Sequence, residues 1–321
     1  MPIYPISFSV PSCKVVEKVP QKNRSFPISA PRRWRGKRKY PFEKEEDYYK
    51  DYKESFFAYT KRKSGWDCMR HYEILANGGI PIFENPEQCP ENTMTNFPWG
   101  ILKEAYSKLD INNLNKDLYN KFCEELISYT RENLTTISAA KYILNKSNLS
   151  SAKNILFLYK KKAPDYLADL CLHGFKELLK KSCHDYPCAN YLYNNFNEDL
   201  EGRTWDTYND RASKLYGRGF TYSQNLDRAE YRNENADVAL SNNIEKHKYD
   251  TVIYGDFYRP IKRINRNNLF EFCDKTLNMI TEHYKPKECI LLCGEDTPTR
   301  QARTTYNRLS EQGYNVFIRE L

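Results

Sequence analysis

Two oppositely charged residues, Arg70 and Glu73, lie three positions apart in a stretch with the apolar periodicity of a helix. On a helix this spacing places both side chains on one face, which Trp66 and Asn77 would share. A guanidinium suits a diphosphate, a carboxylate suits a pair of ribose hydroxyls, and a helix start offers free N–H groups to an anion. The pair could therefore bind a nucleotide sugar. An Arg–Glu ion pair on a solvent-exposed helix face would show the same spacing.

Residues 66–83 read Trp-Asp-Cys-Met-Arg-His-Tyr-Glu-Ile-Leu-Ala-Asn-Gly-Gly-Ile-Pro-Ile-Phe. This segment resembles the nucleotide-sugar-binding segment of GT-B glycosyltransferases, particularly exostosin-like and related viral and bacterial enzymes. There an Arg and a Glu on one helix precede a small-Gly-x-Ile-Pro turn and a strand. The resemblance implies that Glu73 holds the donor ribose or sugar and that Arg70 lies near the diphosphate. Many retaining members have a second Glu eight residues before the first, where this chain has Gly65, so retention or inversion stays open.

The resemblance also implies a metal-independent donor site, in which cationic side chains and helix N-termini stabilise the departing diphosphate. No metal and no cofactor are predicted, since the nucleotide sugar is itself a substrate. The predicted donor-binding residues are Lys63, Trp66, Arg70, Glu73, Asn77, Gly78 and Gly79.

Residues 151–321 alternate short apolar runs with amphipathic stretches. The runs predict buried strands at 154–159, 249–254, 288–293 and 314–318. The amphipathic stretches predict helices at 165–179, 268–283 and 298–312. Continuous apolar strands that alternate with helices indicate a parallel sheet covered on both faces. An α/β fold with a Rossmann-like second half is therefore predicted.

Ligands of such sheets bind beyond the carboxyl ends of the strands, where two acidic turns follow predicted strands here. The predicted acceptor or cleft residues are Gly217, Gly219, Gly255, Gly294 and Asp296. The predicted candidates for a catalytic base are Asp256, Glu295 and His173, with Asp296 also at a strand end. Turn capping by the two Asp residues, solvation of Glu295 and core packing of His173 are the alternatives.

The first half is less regular, with predicted helices at 43–52, 66–76 and 114–144, the last broken near Asn133. Predicted strands lie at 55–60 and 80–83, and a Ser/Asn-rich linker at 145–153 marks the expected domain boundary. The prediction is two Rossmann-like domains of GT-B type facing a cleft, a donor-like one at 1–150 and an acceptor-side one at 151–321. Because GT-B proteins have the acceptor domain first, the resemblance implies a circular permutation in which the chain ends meet at the hinge.

The chain has 321 residues and a net charge of +8, and its positive excess lies within residues 1–63. A basic run begins at Arg32 and ends at Lys39, so a nucleic-acid-binding protein that uses this arm, with Trp34 for stacking, is one alternative. A noncatalytic glycosyltransferase-like module is another, suggested by Gly65. The favoured interpretation is a hexosyl or pentosyl transferase that moves a sugar from a nucleoside diphosphate to a hydroxyl acceptor such as a glycan.

The sequence also gives an expectation for the cellular compartment. No apolar stretch approaches the roughly 18 residues of a membrane span, and the N-terminus lacks the basic region of a signal peptide. Ten scattered Cys residues without a paired framework fit reduced thiols better than disulfides. A cytoplasmic protein without a membrane span is expected.

Overall fold

A computed structural model describes residues 3–28, 42–159, 164–194, 215–257 and 280–321. The strands in these ranges are β1 (Ile3–Pro5), β2 (Phe57–Thr60), β3 (Ile80–Phe83), β4 (Ile155–Leu158), β5 (Cys183–Tyr186), β6 (Thr251–Tyr254), β7 (Cys289–Cys293) and β8 (Asn315–Ile318). The helices are α1 (Glu45–Lys53), α2 (Met69–Ala76), α3 (Trp99–Lys108), α4 (Lys116–Asn133), α5 (Thr136–Lys146), α6 (Tyr166–Leu179), α7 (Arg228–Tyr231), α8 (Asn235–Val238), α9 (Leu240–Glu245) and α10 (Arg300–Glu311).

Six strands form one parallel sheet in the order β1-β8-β7-β6-β4-β5. Alternate residues of each strand enter different apolar clusters: Phe157 and Ile253 pack with α6, whereas Leu156 and Val252 pack with α9 and α10. Both faces of the sheet are therefore covered, which is why β4, β6, β7 and β8 read as apolar runs. The α/β prediction is confirmed at this level.

The strand order reverses within this sheet. The chain passes from β4 to β5 on one side and then returns to place β6 on the other side of β4. In open parallel sheets, the carboxyl ends of the strands beside such a reversal are the usual position of a ligand site. The topology therefore indicates the loops that follow β4 and β6 as the position of a ligand site.

A second, smaller sheet lies in the first half of the chain. Strands β2 and β3 pair in parallel from Phe57↔Ile80 to Thr60↔Phe83, and α2 connects them. Helix α2 begins at Met69 rather than at Trp66, because residues 63–66 form bends and the backbone of Cys68 is extended. Helix α3 and strands β1 and β5 were not predicted from the sequence.

The predicted break in the long helical stretch is confirmed. Helix α4 ends at Asn133, and the Thr135 hydroxyl accepts a hydrogen bond from the Ser138 amide at the start of α5. Helix α5 then packs closely against α6 from the second half. A Cβ atom added at Gly174 would lie 1.9 Å from the Thr136 carbonyl oxygen, so this contact needs glycine.

The first and last strands of the described chain lie side by side, because β1 pairs in parallel with β8. One apolar cluster also contains residues of both halves, such as Phe122 and Leu126 of α4 with Leu170 and Phe175 of α6. The boundary at 145–153 stays a prediction. The basic run at 32–39 and residues 268–279 of the predicted helix at 268–283 lie outside the described residues, whereas residues 280–283 are described and helical. In the described part of the chain, no helix has the length and apolar character needed to cross a membrane.

Candidate functional site

A cavity of about 520 Å³ lies between segments from both halves of the chain. Residues that follow the carboxyl ends of β1, β2, β4 and β7 contribute to its wall. Its volume is in the range of small-molecule sites. The described residues that line it are Phe8, Tyr48, Lys63, Ser64, Asp67, Cys68, Met69, Arg70, Glu73, Tyr166, Tyr216, Gly217, Phe220 and Asp296.

Five of the residues predicted from the sequence meet in this cavity. Lys63, Arg70 and Glu73 come from the predicted donor side, and Gly217 and Asp296 come from the predicted cleft side. Gly217 has a φ of +54°, and a Cβ atom there would lie 2.8 Å from the Tyr166 hydroxyl. Glycine therefore allows the backbone to approach both the cavity and Tyr166.

Glu73 is a buried carboxylate, 6% exposed, at the wall of the cavity. The Tyr48 hydroxyl donates to its Oε2 atom at 2.5 Å, and the Thr221 hydroxyl donates to its Oε1 atom at 2.6 Å. Burial raises the pKa of Glu73, while these hydrogen bonds and the nearby cations Arg70 and Lys63 oppose that rise. The alternative of a solvated helix face is therefore wrong for Glu73.

Two cations converge on the same wall. Desolvation lowers the pKa of Lys63, and the positive charge of Arg70 lowers it further. Helix α2 begins beside them, and no side chain caps its first turn. Repulsion between the cations and the positive end of the helix would be relieved by an anion bound among them.

The other predicted donor residues lie elsewhere. Trp66 is buried, and its carbonyl oxygen is 2.8 Å from Nε2 of His71. Asn77, Gly78 and Gly79 form the turn at the far end of α2, about 12 Å along the helix from its start. The amide of Asn77 donates to the Glu73 carbonyl oxygen at 2.8 Å. None of these four is in the described lining of the cavity.

The three predicted base candidates also lie outside that lining. Asp256 and Glu295 are 4% and 3% exposed, and Glu295 accepts a hydrogen bond from the Tyr306 hydroxyl at 3.2 Å. His173 lies between α5 and α6, with its Nδ1 atom 2.9 Å from the Thr136 hydroxyl. Burial lowers the pKa of His173 to about 4. Its neutral, enclosed ring fits the core-packing alternative.

The remaining predicted cleft glycines have packing roles in the described structure. A Cβ atom at Gly255 would lie 2.4 Å from the Phe157 ring, which packs against β6. Gly219 and Gly294 are similarly enclosed by Ser223 and by Leu167. These three glycines are absent from the described lining of the cavity.

Arg319, at the end of β8, supports the wall of the cavity and was not predicted from the sequence. It is fully buried, and it donates to the Asp67 carbonyl oxygen at 2.6 Å and ion-pairs with Asp296. Its guanidinium also stacks over the Phe8 ring, 4.5 Å from the ring centroid. Arg319 thus connects three residues of the cavity wall. Its place at the carboxyl end of a buried strand is the sequence signal that could have identified it.

Acid is expected to destabilise the fold through two buried histidines. Burial lowers the pKa of His71 to about 3 and that of His173 to about 4. In the unfolded chain both would titrate near pH 6.5, so between that pH and about 4 the unfolded state binds more protons. The free energy of unfolding should then fall, by about 1.4 kcal/mol per pH unit for each histidine, as the pH decreases.

Urea denaturation at pH 7, 6 and 5 measures this slope. His71→Asn and His173→Asn should each reduce it. A slope that neither buried variant alters would contradict the prediction.

Among the described residues, no group of three or more His, Cys, Asp or Glu side chains is arranged to hold a metal ion. Comparisons with known protein families, with curated proteins and with solved structures found no match.

Proposed function

We propose that this protein is a glycosyltransferase of GT-B type, and that the cavity binds its nucleoside diphosphate sugar. The observation that carries this proposal is the cavity itself. It combines two cations and a buried carboxylate, Arg70, Lys63 and Glu73, with a carboxylate from the other half, Asp296. In the proposed arrangement two Rossmann-like halves in exchanged order face this cavity.

The donor would lie along the wall formed by the start of α2. Arg70 and Lys63 supply positive charge for the diphosphate, together with the backbone N–H groups of the helix start. Sugar transfer breaks the bond between the anomeric carbon and a diphosphate oxygen, so negative charge accumulates on the leaving group. Fixed cations at that position lower the barrier without a bound metal.

Aromatic residues of the cavity are suited to contact the base of the nucleotide. Tyr48, Tyr166, Tyr216 and Phe220 line the cavity, and Tyr48 and Phe220 stack on each other at 5.6 Å between centroids. Such rings provide apolar surface for a base. Glu73 accepts hydrogen bonds from hydroxyl groups already, so its carboxylate is suited to the hydroxyls of a ribose or sugar.

Asp296 is the carboxylate of the cavity that is best placed to meet an acceptor. Its side chain is 44% exposed, whereas Asp67 is buried and accepts hydrogen bonds from the Phe8 amide and the Tyr72 hydroxyl. In an inverting reaction, Asp296 would take the proton of the acceptor hydroxyl while the oxygen of that hydroxyl attacks the anomeric carbon. Asp256 and Glu295 stay predictions as alternative bases.

Calorimetric titration with UDP, GDP and their sugars tests the donor site. Glu73→Gln, which keeps the size of the side chain and removes its charge, should weaken binding about tenfold because a charged acceptor is lost. Glu124→Gln, an exposed residue of α4, is the matched control and should bind as the unaltered protein does. Absence of nucleotide binding, or equal binding by both variants, would exclude this donor site.

A transfer assay separates an enzyme from a noncatalytic module. Release of the nucleoside diphosphate from the donor that binds most tightly, with and without added glycan acceptors, reports the reaction. A nucleic-acid-binding protein would instead bind oligonucleotides with a steep salt dependence, and Glu73→Gln would leave that binding unchanged.

A further inference from the structure

Residues 215–224, here called the strap, fasten the second half of the chain to α1 and α2 through Thr221. This residue is 1% exposed. Its hydroxyl donates to Glu73 at 2.6 Å and lies 2.7 Å from the Tyr49 hydroxyl. Its backbone amide donates to Oε1 of Glu45 at 2.5 Å. The strap is therefore held by its contacts with the wall of the cavity.

The strap has a strained backbone. Thr221 has a φ of +75°, which a β-branched residue rarely adopts, and Arg218 and Gln224 have φ values of +61° and +56°. The contacts of Thr221 with Glu73, Glu45 and Tyr49 maintain this conformation. Because other residues of the strap, including Tyr216 and Phe220, line the cavity, a change in the strap would reach a bound ligand directly.

We propose, on the basis of the proposed function, that Thr221 is a positioning residue whose hydroxyl donates to Glu73 until a ligand hydroxyl takes its place. This displacement releases the strap from Glu73. Both carboxylate oxygens of Glu73 accept hydrogen bonds from protein hydroxyls. A ligand hydroxyl that replaces one of these donors leaves the number of hydrogen bonds that Glu73 accepts unchanged. Thr221 is the one expected to leave rather than Tyr48, since its departure relieves backbone strain. Tyr48 lies on the regular helix α1.

Thr221→Val tests this proposal, because valine keeps the branched shape and lacks the hydroxyl. Without the competing donor, the affinity for UDP or GDP should rise about tenfold or more, as expected for one hydrogen bond to a charged group. The affinity for the corresponding 2′,3′-dideoxynucleoside diphosphates, which lack the ribose hydroxyls, should not change. A merely structural role of Thr221 would alter both affinities alike. Thr221→Ser, which keeps the hydroxyl, is the matched control.

The outcomes separate this proposal from the proposed function. If the unaltered protein binds no nucleotide, both are overturned. If it binds but Thr221→Val leaves the ribonucleotide affinity unchanged or lower, only the displacement of Thr221 is overturned. Should Thr221→Val fail to fold, Tyr49→Phe removes a hydroxyl that holds Thr221 without touching Glu73. This variant should raise the ribonucleotide affinity selectively, and an equal effect on the dideoxynucleotides would contradict the proposal.

Discussion

Replacing Arg70 by alanine is expected to reduce the rate of sugar transfer by about 10²- to 10³-fold, the usual effect of removing one donor that stabilises developing charge. Arg70 lines the cavity beside the start of α2, where the proposal places the diphosphate. Its guanidinium would contribute more as the bond to the sugar breaks than in the bound substrate. The reduction should therefore appear in kcat as well as in kcat/KM.

Steady-state kinetics with the preferred donor checks this prediction. Arg62→Ala is the matched control, because Arg62 is an exposed cation on the same segment and is absent from the described lining of the cavity. Arg70→Lys should recover part of the rate, since lysine keeps the charge but loses the planar fork of the guanidinium. Equal rates for Arg70→Ala and Arg62→Ala would show that Arg70 has no role in leaving-group stabilisation.

Local patterns predicted most of the second half of the fold. Continuous apolar runs indicated β4, β6, β7 and β8 because both faces of that sheet are buried. Strand β5 was missed because Cys183–Tyr186 contains His184 and Asp185, polar side chains that are buried through their own partners. Strand β1 was missed because Pro2 and Pro5 are residues that strands usually exclude. Its partner strand, β8, is also more than 300 residues away in sequence.

The site was predictable only where its residues are close in sequence. Arg70 and Glu73 form a local pattern, so their type and spacing were informative. Thr221 and Glu73 are 148 residues apart, and Arg319 and Asp67 are 252 apart, so no local periodicity relates them. The buried environment of Glu73 includes the distant contact with Thr221. This is why spacing alone left an ion pair on a solvent-exposed helix face as an alternative.

The fold and the cavity wall should both depend on Arg319. This guanidinium is buried among Asp67, Asp296 and Glu320, and Arg319→Met would remove the cation while leaving a side chain of similar length. We expect the free energy of unfolding to fall by about 3–5 kcal/mol, the usual result of removing one partner of a buried ion pair. Urea denaturation measures it. Arg300→Met, at an exposed first residue of α10, is the control and should be nearly neutral.

A pH series distinguishes lost charge from lost packing in Arg319→Met. Burial raises the pKa of Asp67 and of Glu320, and Arg319 opposes the rise in both. Without the cation, the pKa values of Asp67 and Glu320 in the folded state should rise further. The folded variant then binds more protons than its unfolded chain does at the same pH. Its stability should then increase, relative to that of the unaltered protein, as the pH falls from 8 to 5. If the deficit were instead the same at both pH values, Arg319 would act in the fold through packing and neutral hydrogen bonds.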